Sequence, residues 1–267
     1  PRKANHEELQ YSNKEILGFQ GRVDVDFDWA QLTSITAYRE SESAWWQALN
    51  PQLSARLGGE GLQEVDDGAE QEAEQFSQEF RLSGEGDRLK WVVGAYFFSE
   101  DVKRFERFTT WWDPTSHLAV LGDGTADFFQ DSKNESMAFF GQFTYNITDA
   151  VALTLGARYT DDEKSIDNDT AAPVPNSSPV FASGVPLFSP PYSVAASESW
   201  SETTMRATVD WHITDNQMMY ATYSEGFKSG AFNGTQRYPE LAETPIKPEL
   251  ATNYELGFKT QWLGDRL

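Results

Sequence analysis

Carboxylates are the most abundant groups in this chain that could carry chemistry. The 267 residues include 42 acidic and 21 basic side chains, for a formal net charge of −21, and no cysteine. One local arrangement, Asp24-Val-Asp26-Phe-Asp28, repeats the first half of a calcium loop, in which oxygens at alternate positions converge on one cation. Such a loop needs glycine at its sixth position and glutamate at its twelfth. Trp29 and Ile35 stand there, so the match fails. A second run, Glu60, Glu64, Asp66, Asp67, Glu70, Glu72 and Glu74, reads as a solvated segment of an external loop. His6, His117 and His212 are far apart, and none has a second ligand at metal spacing. No serine lies in a Gly-x-Ser-x-Gly elbow. Gly58-Gly59-Glu60-Gly61 lacks the strand–helix setting of a phosphate loop. No metal, no cofactor and no enzyme activity is expected. The negative charge opposes nucleic acid, whose phosphates would repel it.

The elements that must position these residues show period two. Leu17, Phe19, Val23 and Val25 alternate with Gly18, Gln20, Arg22, Asp24 and Asp26. A strand sends successive side chains to opposite faces, so the run has one oily and one charged surface. The same split recurs around Phe76–Leu82, Leu89–Phe97, Met137–Ile147, Val151–Tyr159, Met205–Ile213 and Tyr254–Trp262. Two more runs, near Leu32–Arg39 and Met218–Lys228, read as strands whose facing the pattern leaves open. The aromatic content is high, with 9 Trp, 10 Tyr and 18 Phe. Trp29, Trp45, Trp46, Trp91, Tyr145, Trp211 and Trp262 fall near strand ends, where interfacial girdles lie in a membrane barrel.

Connections alternate between short and long. Short ones at 27–31, 84–88, 147–150, 214–217 and 263–266 are rich in Asp, Asn and Gly, as tight hairpins require. Long ones are expected at roughly 45–72, 104–134, 165–200 and 229–249, the clearest being the proline-rich 173–191. Strands of about 9–11 residues match a tilted crossing of a bilayer. These features predict an all-β, antiparallel transmembrane β-barrel of a Gram-negative outer membrane, with short periplasmic turns and long extracellular loops. About nine strands are expected. A single-chain bacterial barrel normally has an even number of strands, and lipid does not tolerate an open sheet edge, so the chain is expected to be a fragment of a larger barrel.

Several segments resemble the TonB-dependent receptors, in particular the iron-complex type. They are QLTSITAYRE at 31–40, EQFSQEFRLS at 74–83 with WVVGAYFF at 91–98, and FGQFTYNITD at 140–149 with LTLGARYT at 153–160. YATYSEGFKSG at 220–230 is the most specific, followed by PELATNYELGFK at 248–259. The resemblance covers nearly the whole chain and implies a 22-stranded barrel around an N-terminal plug. It also implies transport driven through a periplasmic TonB box by an energising complex. On that reading residues 1–267 are a barrel segment without the plug, the TonB box or the C-terminal strands. The implied cargo is a small, scarce nutrient, by default a ferric siderophore.

Alternation sends Arg22, Arg81, Arg158, Arg206, Asp210, Glu255 and Lys259 into the lumen, where such a wall hydrogen-bonds a plug or, in an open pore, sets ion selectivity; the resemblance to the family implies the plug. Trp45, Trp46, Trp111 and Trp112 flank long loops and are the candidates for gripping a ligand. The outer surface is expected to meet the bilayer and lipopolysaccharide. Two rivals differ in class: a passive porin-like channel, and a soluble all-β carbohydrate-active enzyme with paired carboxylates.

Overall fold

A computed structural model describes residues 10–49, 62–112, 124–171, 191–236 and 238–261. Among the described residues nine strands follow one another: β1 (Tyr11–Asp26), β2 (Gln31–Leu49), β3 (Leu62–Glu85), β4 (Leu89–Trp112), β5 (Gly124–Asn146), β6 (Val151–Ala171), β7 (Ser193–Thr214), β8 (Gln217–Lys228) and β9 (Glu249–Thr260). One short helix, α1 (Pro239–Glu243), lies between β8 and β9. The sheet runs in chain order, and each strand is antiparallel to the next. Among the described residues β1 pairs only with β2 and β9 only with β8, so the sheet is open. Four of the expected short turns are present. In the 147–150 turn the Thr148 hydroxyl accepts from the amides of Ala150 and Val151, at 3.2 and 3.0 Å, the local bond that favours threonine there. The turn expected at 263–266 lies outside the described residues.

Register joins the separate faces into one surface. Leu89, Tyr145, Leu153, Val209, Ala221 and Leu256 stand in a single row across six strands. Val25, Leu32, Leu82 and Val93 form another. The facing left open for β2 and β8 is thereby fixed: Leu32 and Tyr38, and Met219 and Tyr223, are on the oily side. Side chains of that face splay into the open, with Phe19 67%, Phe139 56% and Leu155 51% exposed. On the polar face they crowd, with Ala138 0% and Thr154 9% exposed. A curved sheet spreads side chains on its convex face and converges them on its concave face. The oily surface is therefore the convex one.

Among the described residues no second layer covers it. The buried apolar residues are mostly alanines, with only Phe128, Ile166 and Val194 larger. A soluble sandwich would bury its large side chains between two sheets, and this sheet buries almost none. On β6 the oily positions run from Val151 to Tyr159, about 27 Å of strand at ~3.4 Å per residue. Tilted by about 40°, that is close to the ~25 Å apolar band of an outer-membrane barrel. The lower rim carries aromatics, and Trp29 stacks on Trp91 with ring centroids 6.3 Å apart. Above the band the convex face turns charged, as in the row Glu40, Glu74, Asp101 and Lys133.

The strands run 12 to 24 residues, beyond the oily band and into segments expected to be loops. The acidic run from Glu64 to Glu74 is part of β3, not of an external loop; Glu60 lies outside the described residues. Beyond the lipid both faces of a strand meet water, so alternation fades while the hydrogen-bonded ladder continues.

Candidate functional site

The concave face is the surface these strands can offer to anything inside a barrel. Register places Arg22, Arg81, Arg158, Arg206, Asp210, Glu255 and Lys259 together on it. Arg81 opposes Gly94, Gly94 opposes Phe140, and Phe140 opposes Arg158, all in one row. A concavity of about 700 Å³ has Glu79, Arg81, Gln142, Arg158, Thr204 and Arg206 among its lining residues.

The four arginines differ in their partners. The Arg22 guanidinium donates to the Asp24 carboxylate at 2.8 and 2.9 Å, and the Thr33 hydroxyl donates to the same group at 2.6 Å. Arg81 is paired with Glu79. Arg158 has no carboxylate partner among the described residues. It donates to the Thr160 hydroxyl at 3.1 Å and lies 5.7 Å from the ring centroids of both Tyr96 and Phe140. Arg206 likewise donates only to a hydroxyl, that of Thr208, at 3.4 Å. Farther along the wall Tyr220 donates to Glu255, and Lys259 sits 5.2 Å above the Tyr220 ring. Asp210 stands in register with Tyr220.

Pattern reading missed the residues that hold these charges in place. Phe140 lies over Gly94, and Tyr220 lies over Gly257. A Cβ on either glycine would collide with the ring of its cross-strand partner. The bare backbone lets the ring lie flat, and the ring then carries a cation, Arg158 in one case and Lys259 in the other. Such pairs become visible only once register is known.

The tryptophans are placed as follows. Trp45 and Trp46 are inside β2, on opposite faces, so the two cannot close on one ligand together. Trp45 is on the concave side, and the Trp46 ring covers Gly68 on the convex side. Trp111 and Trp112 end β4, in register with Glu64 and Leu62; their side chains lie outside the described residues, as do His6 and His117. His212 is on the concave face of β7. Among the described residues no three His, Cys, Asp or Glu side chains are grouped to hold a metal ion.

Near the long-loop end, beyond the oily band, Asp67 is 8% exposed and one of its carboxylate oxygens has no partner. Burial, reinforced by the nearby Glu106, raises its pKa to about 6, against the opposing pull of Gln47 and Arg104. A carboxyl whose folded-state pKa is raised favours the folded state fully below its unfolded pKa of about 3.9 and loses that contribution as pH rises through about 6. The upper β3–β4 ladder is therefore expected to exchange its amides faster at pH 8 than at pH 5, after correction for intrinsic rates. Asp67→Asn should flatten this difference. An unchanged pH dependence in the variant would remove Asp67 as its source.

A family model described as TonB dependent receptor-like, beta-barrel, matches residues 3–267. The chain belongs to that family, whose members are β-barrel proteins of the Gram-negative outer membrane. Among solved structures it is similar to the ferric yersiniabactin uptake receptor FyuA from Yersinia pestis, with a TM-score of 0.70 at 16% identity over 95% of this chain and 34% of that one. The siderophore receptor PiuA from Acinetobacter baumannii gives 0.69 at 16% identity, over 96% and 39%. The ferric-catecholate import receptor Fiu from E. coli K12 gives 0.63 at 15% identity, over 96% and 40%. The chain thus spans 34% to 40% of the length of these proteins.

Proposed function

We propose that the chain is part of the barrel wall of an outer-membrane receptor for energy-coupled uptake of a small, scarce nutrient, a ferric siderophore. The concave wall is the surface that docks the receptor's plug domain. The observation that carries this reading is the pair Arg158 and Arg206 on the concave face, Arg158 held by a hydroxyl and two rings and Arg206 by one hydroxyl, neither with a carboxylate partner among the described residues, in a chain of net charge −21. A guanidinium without a carboxylate gains most from one that it can bind in bidentate fashion. Carboxylates of a plug would supply that. Arg22, Arg81, Asp210, Glu255 and Lys259 complete the polar lining, and their partners across the interface are hydrogen-bonding groups of the plug. The family resemblance supports the plug, a TonB box outside this chain and the energising complex. The likeness in fold to receptors for ferric yersiniabactin, a siderophore and ferric catecholates supports an iron complex as cargo. Trp45, on the concave side near the long-loop end, is the better placed member of its pair to touch cargo, with Trp111 and Trp112 at the end of β4.

The test uses the full-length protein in a siderophore-dependent host. Uptake of labelled ferric siderophore is expected to fall at least tenfold when the host's TonB is deleted. Uptake that persists without TonB would instead mark a passive channel. A host supplied with several ferric siderophores that takes up none through this protein would remove iron complexes as the cargo.

A further inference from the structure

The connection between β8 and β9 does not leave the wall as an external loop. The β7–β8 ladder ends at the pair Arg206 and Ser224, although β7 continues back to Ser193 and β8 onward to Lys228. Above that pair the β7 edge has no strand beside it among the described residues, and glutamates cap its amides. Glu225 accepts from the Met205 amide at 2.9 Å, Glu202 from Thr203 at 3.0 Å and Glu198 from Ser199 at 3.2 Å. At this seam residues 229–236 turn inward and cross the concave faces of β7, β6 and β5.

Donors on the wall fix the carbonyls of this segment. The Lys164 ammonium donates to Gly230 O at 2.8 Å, the Asn168 carboxamide to Gly234 O at 2.7 Å and the Tyr192 hydroxyl to Gln236 O at 2.6 Å. Asn168 is 1% exposed and also donates to the Tyr192 hydroxyl at 3.3 Å. Phe232 packs on Trp200 with centroids 6.4 Å apart. The contact is moulded as well as bonded: a Cβ on Gly230 would collide with Trp200, and one on Gly234 with Gln130. Ala231 and Ile246 exchange both backbone hydrogen bonds, which closes the segment's base. Next to it, a concavity of about 380 Å³ is lined by Tyr96, Phe98, Ser136, Asp162, Lys164 and Ser229 among others.

We propose that residues 229–236 form a fixed internal strap that seals the β7–β8 seam, narrows the interior on the β5–β7 side, and limits the size of solute reaching the concavity beside it, with Asn168 as the positioning residue. A buried amide that spends its donors on the strap and its neighbour favours a fixed element over a swinging lid, because release would leave those groups unpaired. The inference rests on reading the barrel interior as a passage.

These 267 residues hold no cysteine, so one thiol introduced here, with any cysteine elsewhere in the full-length protein replaced by serine, reports access. Ser136→Cys is placed in the full-length protein in outer-membrane vesicles, and labelling by a small methanethiosulfonate is compared with labelling by a polymer-linked maleimide. Each rate is normalised to that reagent's rate on the unfolded protein. The expected result is that the bulky reagent reacts at least tenfold more slowly than the small one. Asn168→Ala should bring the two within about twofold, and Tyr192→Phe, which removes the bond to Gln236 O and the one from Asn168 but keeps the buried amide's bond to Gly234 O, should give an intermediate ratio. Equal rates with Asn168 intact would overturn the proposal. So would a ratio unchanged by both variants, or no labelling by either reagent, which would make the strap a seal and not a filter. Labelling needs neither TonB nor cargo, so a failed uptake assay would sink the receptor reading while leaving this result standing.

Discussion

Replacing Leu155 by arginine is expected to destabilise the barrel in a lipid bilayer by about 2–4 kcal/mol, whereas arginine at Gln142 should cost about 0–1 kcal/mol. The two positions are on adjacent strands, and Gln142 is in register with Gly156, the next residue after Leu155. They differ in face. Leu155 is at the centre of the oily run on β6 and half exposed on the convex side. A guanidinium there must enter hydrocarbon or pull water and headgroups toward it. Gln142 lines the concavity on the polar side, where a longer cation finds water or plug groups. The neighbouring Thr154 makes a poorer control, because it is crowded on the concave face and shares a 2.9 Å hydrogen bond with Thr144. A urea titration of the intact barrel in vesicles measures both costs. Equal losses would contradict the facing.

The second large effect runs against propensity. Glycine weakens a strand, and Gly→Ala at an unstrained site typically gains about 0.4–1 kcal/mol. Gly94→Ala is instead expected to lose about 1–3 kcal/mol, the usual range for overpacking. The added methyl would meet the Phe140 ring and the backbone carbonyl oxygen of Phe80 at 2.6 Å, and the backbone atom cannot rotate away. Displacing Phe140 also takes away one of the two rings flanking Arg158. Gly21→Ala is the matched comparison, since nothing lies within 4 Å of a Cβ built there, and it should be neutral or slightly stabilising. If Gly94→Ala proved as stable as the parent in the same titration, the ring-over-glycine packing would not be a constraint.

What the sequence made legible follows from solvent. Where one strand face meets lipid and the other water, residue types must alternate, and β1, β3 to β7 and β9 were readable from that pattern, as were the Asp- and Asn-rich turns. Alternation stops where the strands leave the lipid. Glu70, Glu72 and Glu74 therefore resemble a loop although they are laddered into β3. The facing of β2 was hidden because Ser34 and Thr36 stand in its oily column beside Leu32 and Tyr38. Trp45 and Trp46, taken as a pair, are split by the strand's own period of two. The supports of the concave wall were illegible for another reason. Gly94 and Phe140 are distant in sequence, as are Gly257 and Tyr220, and Asn168 holds a carbonyl 66 residues away. No local pattern encodes register or such tertiary bonds.

Most directly, spin labels placed one at a time along 151–160 of β6 in the bilayer-embedded protein test whether the oily face meets lipid. Collision rates with oxygen, which partitions into hydrocarbon, and with a water-soluble nickel chelate should alternate out of phase: lipid contact at Val151, Leu153, Leu155, Ala157 and Tyr159, and water or protein contact at the even positions between them. Odd positions shielded from both relaxants would reveal a covering protein layer, and the convex face would then not be a membrane surface.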